Sequence, residues 1–473
     1  MAVYKTYLKY IAAAVSISCL AGCQVADERV NIDLIHASAF ADTALGVSQQ
    51  ELDKKFYTLF EDKLLNSYVE TALLNNNTLK KAFLALKNSS LNLALIKDDS
   101  SFKLSGNLGV QNRRALDYHE SFKNSSSSSL GLNYVLDVFA KNSYKEEAAE
   151  QELKASAFAY LNVRLGIIES VISAYLQRVF ALEALSLARD DLKDSKNRLD
   201  LVQKKYKTGQ IDALEYDRAL LDYKDTQQNL YMQEHNLSQS SNALNALLGR
   251  SYDSYLQSGS LDNIKEPDFM LKLPLALLKS RADLQQASYN IKMALSDLKV
   301  AQREFFPELS VSVGINAGDG LSLGRLISNP VLSLGSFITL PFLNYNELRI
   351  KEKMQRNTLE SYKVEFVELY VNALKECSDA LNAQRYYKDS LIRAKSAYEL
   401  SSLNYQRTLA KYKLGDMSLS DLLDAAAILR QKALAQKQMQ FNLLLSQLDL
   451  MIALGGGVDK EDLNELYNSL DKS

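Results

Sequence analysis

Tryptophan is missing from all 473 residues, and histidine, cysteine and proline number only three, three and five. His36, His119 and His235 lie far apart and offer no metal-ligand spacing; no nucleophile elbow or phosphate loop is present either. Gly455, Gly456 and Gly457 follow a helical pattern and read as its C-terminus, not as a phosphate cradle. An enzyme, a metal centre and a bound cofactor are therefore not expected. Cys19 and Cys23 sit near the N-terminus, which leaves Cys377 alone and excludes an intramolecular disulfide. Cys377 falls on the apolar stripe Val367, Tyr370, Leu374, Cys377, Leu381, where it reads as a small core residue. A strong charge of one sign is also lacking. The net charge is -2 with no basic patch, so nothing favours a nucleic-acid partner. What is present, 47% hydrophobic and 24% charged residues, is the composition of a folded chain.

The first 23 residues hold Lys5 and Lys9, then an apolar run from Tyr10 to Leu20. A basic start followed by a run shorter than the roughly 20 residues that span a bilayer is an export signal. The run ends in Leu20-Ala21-Gly22-Cys23, which resembles the bacterial lipobox, although an ordinary cleaved signal can also contain a cysteine. The resemblance implies a lipid on Cys23, and Gln24 after it implies onward transfer to the outer membrane. Removal of the signal leaves 53 basic against 57 acidic residues, a net charge of -4. No helix in the remainder reads as a membrane span.

An internal repeat organises the rest. Lys205-Tyr206-Lys207-Thr208-Gly209 matches Lys411-Tyr412-Lys413-Leu414-Gly415, and Leu244 and Gly249 match Leu450 and Gly455, all 206 positions on. Leu79, Ala82, Leu104, Ser105 and Gly109 match Leu284, Ala287, Leu309, Ser310 and Gly314 at an offset of 205. The expected division is a signal over 1–23, an N-terminal segment over 24–65, repeats over 66–250 and 274–456, a linker over 251–273 and a tail over 457–473. Each repeat should run as an amphipathic helix (68–97 in the first), two strands, a very long helix, a turn and a shorter helix.

Strands are expected near 101–110, 128–139, 308–316 and 331–341. Phe102, Leu104, Leu108 and Val110 alternate with Lys103, Ser105, Asn107 and Gly109, and Leu309, Val311, Val313 and Ile315 with Ser310, Ser312 and Gly314. Alternation over about nine to eleven residues suits outer-membrane strands with one face on lipid and one on a polar lumen. It also suits hairpins packed on a soluble core. Four strands cannot close a barrel, so a membrane barrel would need several chains. The connections 111–128, with its serine run Ser125 to Ser129, and 316–330 read as polar surface loops.

Residues 143–206 contain no proline and only Gly166, and 346–414 contain neither proline nor glycine. Sixty-four helical residues would extend about 96 Å. Leu161, Leu165, Ile168, Ile172, Tyr175, Val179 and Leu182 follow a coiled-coil seam, and the charged faces read as solvated. Residues 211–248 and 418–454 run back alongside. Being shorter, they need residues 68–97 and 281–303 stacked beyond them to match the length.

Taken together, the paired Lys-Tyr-Lys-Xaa-Gly turns, the helix ends Leu247-Leu248-Gly249 and Leu454-Gly455-Gly456, and Arg281-Ala282-Asp283-Leu284 with Phe306-Pro307-Glu308-Leu309 resemble the TolC-like outer-membrane factor family, lipoprotein branch. The fold class this implies is mainly α with a membrane β-barrel: antiparallel coiled-coil helices form a periplasmic tunnel, and four strands per chain contribute to a twelve-stranded barrel in a homotrimer. The implied function is the passive exit duct of a tripartite efflux system. Its implied partners are outer-membrane lipid, a periplasmic adaptor and an inner-membrane pump, of RND type in preference to ABC type. Type I protein secretion is the alternative cargo route, and an envelope-tethering coiled-coil lipoprotein the alternative of another class; the tether leaves the strands without a purpose. The resemblance places a periplasmic gate at Asp421, Asp424, Glu215 and Tyr412, with Met417 where an arginine is expected. Adaptor contact is expected at the turns, through Tyr206, Gly209, Tyr412 and Gly415. Read without the family, Asp421 and Asp424 share a helix face as first-turn acids that stabilise a helix N-terminus.

Overall fold

Backbone continuity sets this architecture, because the long stretches without proline, and with no glycine but Gly166, do form unbroken helices. The computed structural model describes residues 55–114, 122–267, 281–317 and 330–457, with Leu463, Leu466, Tyr467 and Leu470. Cys23, His36 and His119 lie outside the described residues, and those described belong to one compact unit, Phe40–Ser473. In chain order the elements are α1 (Lys63–Asn75), α2 (Asn77–Asp99), β1 (Lys103–Arg113), β2 (Lys123–Leu136), α3 (Lys141–Lys207), α4 (Ala213–Leu247), α5 (Ala282–Arg303), β3 (Glu308–Ala317), β4 (Val331–Thr339), α6 (Tyr345–Leu414) and α7 (Leu419–Ala453). Short 3-10 turns lie at Phe56–Phe60, Leu261–Asn263 and Pro341–Asn344.

Helices α3 and α6 run for 67 and 70 residues, about 100 Å each. Helices of that length need lateral partners, and α3 is the common one: α2, α4, α5 and α7 all pack along it. Its seam residues Leu161, Leu165, Ile168, Ile172, Tyr175 and Val179 are buried. Each buried Leu or Ile stabilises by about 1.5–3 kcal/mol. The same stretch gives α3 an 18-residue window of mean hydropathy 1.4, enough by length and composition for a membrane span where none was expected. Its apolar residues are explained by the core they fill, since more than half of the window is buried. Cys377 is buried there too and donates its thiol to the Ala453 carbonyl at 3.1 Å; burial pushes its pKa up to about 11.

The shorter helices stack end to end beside the long ones. The Asn76 side chain accepts from the N–H groups of Thr78 and Leu79, capping α2, and its Nδ2 donates to the Leu247 carbonyl at the end of α4. At the matching junction the Arg281 guanidinium, at the start of α5, donates to the Ala453 carbonyl at the end of α7. Donors and acceptors are related by 205 and 206 positions, the offsets of the sequence repeat. Asn76 also corrects an expectation. The single helix over 68–97 is two helices, because residue 76 is extended (φ -64°, ψ 124°) and its side chain starts a new one.

The four strands form one antiparallel sheet in the order β1-β2-β3-β4. Its register aligns the alternation across the sheet. Leu104, Leu132, Val313 and Leu334 form one rung, and Ser105, Gly131, Gly314 and Ser333 the next. One face is therefore apolar and the other small and polar. Among the described residues no helix packs extensively on either face, and Leu104, Leu108, Leu334 and Ile338 stay 66–74% exposed. Hairpins on a soluble core would bury that face. The serine run is a second correction: Ser125 to Ser129 pair with Asn107 to Gln111 in the β1–β2 ladder and form no loop tip. Serine has little strand preference of its own, but the ladder satisfies its backbone and it fits opposite glycine, as Ser127 does opposite Gly109.

Candidate functional site at the helix tips

Glycine ends both long helices for a backbone reason. Gly209 and Gly415 have φ of +70° and +89°, and a Cβ at either position would meet nothing within 4 Å. The left-handed conformation, not space, is what requires glycine. The chain reverses through the hydrogen bonds Gln210 N–H to the Lys205 carbonyl (2.9 Å) and Asp416 N–H to the Lys411 carbonyl (3.0 Å).

The two turns lie against each other. Lys205 Nζ sits 4.0 Å from the centre of the Tyr412 ring and donates to the Tyr412 carbonyl at 3.3 Å, pinning the tip of α3 to that of α6. Sequence reasoning noticed Lys205 only as part of the repeat. Its contact partner lies 207 positions away and no local pattern announces it. Tyr412 is 3% exposed, in a cluster with Val202, Ala219, Tyr405, Leu419 and Leu422, and Met417 packs against that cluster. The Tyr412 hydroxyl has no hydrogen-bond partner. Burial raises its pKa, and the nearby Glu215 carboxylate adds to the rise. Glu215 lies in the first turn of α4, where its N–H donates to the Asp212 side chain at 2.9 Å. The structure thus brings Glu215 towards Tyr412 without a hydrogen bond between them.

Tyr412 is buried, whereas Tyr206 is 42% exposed and stacks on Tyr216 with ring centres 5.3 Å apart. Asp421 closes a capping box: its carboxylate accepts from Ser418 Oγ (2.6 Å) and N–H (3.1 Å) while its own N–H donates to Ser418 Oγ. Those bonds hold its pKa below the usual carboxylate range. Asp424 is exposed one turn further along α7. No group of three or more His, Cys, Asp or Glu that could hold a metal occurs among the described residues.

The model of the outer membrane efflux protein family matches residues 68–250 and 273–456, more than three quarters of the chain. The chain belongs to that family. Among its relatives is the cation efflux system protein CusC of Escherichia coli K12, 26% identical over 411 residues, which covers 85% of this chain and 88% of CusC. The probable outer membrane lipoprotein SilC of Salmonella typhimurium is 24% identical over 412 residues, covering 86% and 88% of the two chains. In fold the chain is similar to the Campylobacter jejuni CmeC outer membrane channel, with a TM-score of 0.80 at 21% identity over 91% of this chain and 96% of that one. This efflux protein is therefore an outer-membrane transport protein, and its family is not one of enzymes.

The turn geometry gives a direct test. Gly415→Val in the efflux protein should cost about 1–2 kcal/mol in the left-handed position, whereas Gly415→Asn, which tolerates that conformation, should cost less. Thermal unfolding of the purified protein followed by circular dichroism should show the larger fall in Tm for valine; equal falls would contradict this reading of Gly415.

Proposed function

We propose that three copies of this chain form a passive duct carrying cargo across the outer membrane, with the strands closing a barrel and the helices a tunnel into the periplasm. The observation that carries this is the uncovered four-stranded sheet, apolar on one face and mainly small and polar on the other, with both edge strands unpaired among the described residues. In lipid an open edge costs several kcal/mol for each unsatisfied backbone group, so the edges must pair with other copies. Long helices alone would also suit an envelope tether. A tether gives no reason for an exposed apolar rung such as Leu104 and Leu334.

The two family-matched segments and the repeated element order support descent of the two halves from one ancestral unit. A lipid on Cys23 adds an anchor, in keeping with the lipoprotein named among the relatives. The duct needs no cofactor and performs no chemistry. Energy comes from an inner-membrane pump joined through a periplasmic adaptor that meets the turns at Tyr206, Gly209 and Gly415. A relative named for cation efflux favours small solutes as cargo, and with them we read an RND-type pump in preference to an ABC-type secretion system. Neighbouring genes discriminate these: an adaptor beside a proton-driven pump supports efflux, and one beside an ATP-driven transporter with a secreted substrate supports protein export.

The helix tips form the resting gate of this duct. Threefold symmetry turns Asp424 into a ring of exposed carboxylates facing its own copies and repelling anions. Asp421, held by Ser418, shapes the ring and is less free to move into the opening. Glu215 faces the buried Tyr412 hydroxyl and closes on it without the arginine that Met417 replaces.

Outer-membrane extracts should yield heat-modifiable trimers that conduct ions in planar bilayers; a soluble rod without conductance would favour the tether instead. Glu215→Ala should lower the vancomycin concentration that inhibits a duct-deficient host carrying the protein, and should raise single-channel conductance. Unchanged susceptibility together with unchanged conductance would remove Glu215 from the gate.

A further inference from the structure

Above the mouth, charged side chains that the sequence pattern reads as solvated are buried together. Arg198 of α3 donates to Asp222 of α4 at 2.9 Å and to the Tyr405 hydroxyl of α6 at 3.3 Å, and its side chain is only 4% exposed. Arg430 of α7 donates to the other oxygen of Asp222 at 3.2 Å and to Asp191 of α3 at 3.3 Å. Asp191 and Asp222 are each 12% exposed. Two arginines and two carboxylates thus tie all four helices at one level. Arg430 is the only one of the four that belongs to the second helix pair, α6 and α7.

Packing is thin at this level. A cavity of about 470 Å³ opens here, lined by Ala188, Asp191, Arg198, Tyr398, Arg430 and Leu434 among others. On each helix it falls between the main core, which ends near Val179 on α3 and Phe441 on α7, and the mouth cluster around Val202 and Leu422. Interiors are normally close-packed and transmit strain. Over this stretch the buried ions lie beside unfilled space and small apolar residues such as Ala184, Ala188 and Ala433. Asp191 Oδ2 and Arg198 Nε are buried without partners, so the network has not used all of its bonding capacity.

We propose that Arg430 is a clamp, a positioning residue that fixes the second helix pair against the first above the mouth, and that opening requires its bonds to Asp191 and Asp222 to break while the pair swings over the cavity. The inference rests on the gated-duct reading and adds a second, separate restraint to Glu215. Losing Arg430 leaves two carboxylates facing a single arginine, so part of the closed state's advantage becomes repulsion. Lysine keeps the charge but cannot span both acids with a planar fork.

The test uses the full-length protein in a duct-deficient Gram-negative host, with vancomycin as the probe solute, and purified trimers in planar bilayers. Arg430→Gln should lower the inhibitory vancomycin concentration several-fold and raise the open-to-closed ratio by about tenfold, the scale of one coupled interaction. Arg430→Lys should fall between parent and glutamine. Asp191→Asn combined with Arg430→Gln should add little to Arg430→Gln alone, because the shared bond is already gone. If Arg430→Gln behaves as the parent in both readouts while Glu215→Ala leaks, the clamp is overturned and the gate at the tips stands. If both variants are silent in conducting trimers, the gate reading falls with it. Should Arg430→Gln fail to assemble, Asp191→Leu, which removes the acceptor and its charge at similar size, carries the test; parent-like conductance in that variant overturns the clamp.

Discussion

A backbone amide or carbonyl in hydrocarbon must find a partner, and the outward edges of β1 and β4 each present a row of groups with no strand partner among the described residues. In the proposed duct that requirement governs the assembly. It would make one chain insufficient, turn the apolar rungs outward together, and leave the small polar rungs of Ser105, Gly131, Gly314 and Ser333 to line an interior. The sheet is not stabilised by a core beneath it. In the proposed duct lipid covers its apolar face and further copies pair with its edges.

Below the sheet the dependence runs through α3. The helix is buried along its upper length by α2 and α5 and along its lower length by α4 and α7, so the stacked junctions at Asn76 and Arg281 must fall where one partner hands over to the next. Burial is dense there and thins towards the mouth. Lys205 on Tyr412, the capping box of Asp421 and the ions around Arg430 add polar contacts to the apolar cluster of Val202, Leu419 and Leu422 at that end.

Much of this was legible in the sequence because it is periodic. The expected spans 143–206 and 346–414, each closed by a following glycine, fall within two residues of the ends of both long helices, and the alternation of Leu104 and Leu334 with serine and glycine anticipated a sheet whose faces differ. What escaped is not periodic. Asn76 looks like any polar helix residue until its side chain is seen to cap the helix that follows it. The serine run forms strand because a neighbouring ladder pairs it, a condition that lies outside its own residues. Arg198, Asp222 and Arg430 carry the same signal as solvated charges. Only the approach of four helices distant in sequence buries them. At the mouth, the acids and the glycines were visible as a motif, but the motif could not tell that Asp421 would spend its carboxylate on Ser418 or that Tyr412 would turn inward.

Closure of the sheet between chains is the central claim, and disulfide trapping across the two free edges tests it most directly. With Cys377 replaced by alanine, one cysteine is placed at Ser105 in β1 and a second is scanned along β4 through Ser333, Gly335 and Phe337. Mild oxidation of outer-membrane vesicles should trap one register efficiently, giving cross-linked dimers and trimers on a denaturing gel and no larger species. Monomers in every register, or ladders that run past three chains, would contradict a barrel closed by three copies.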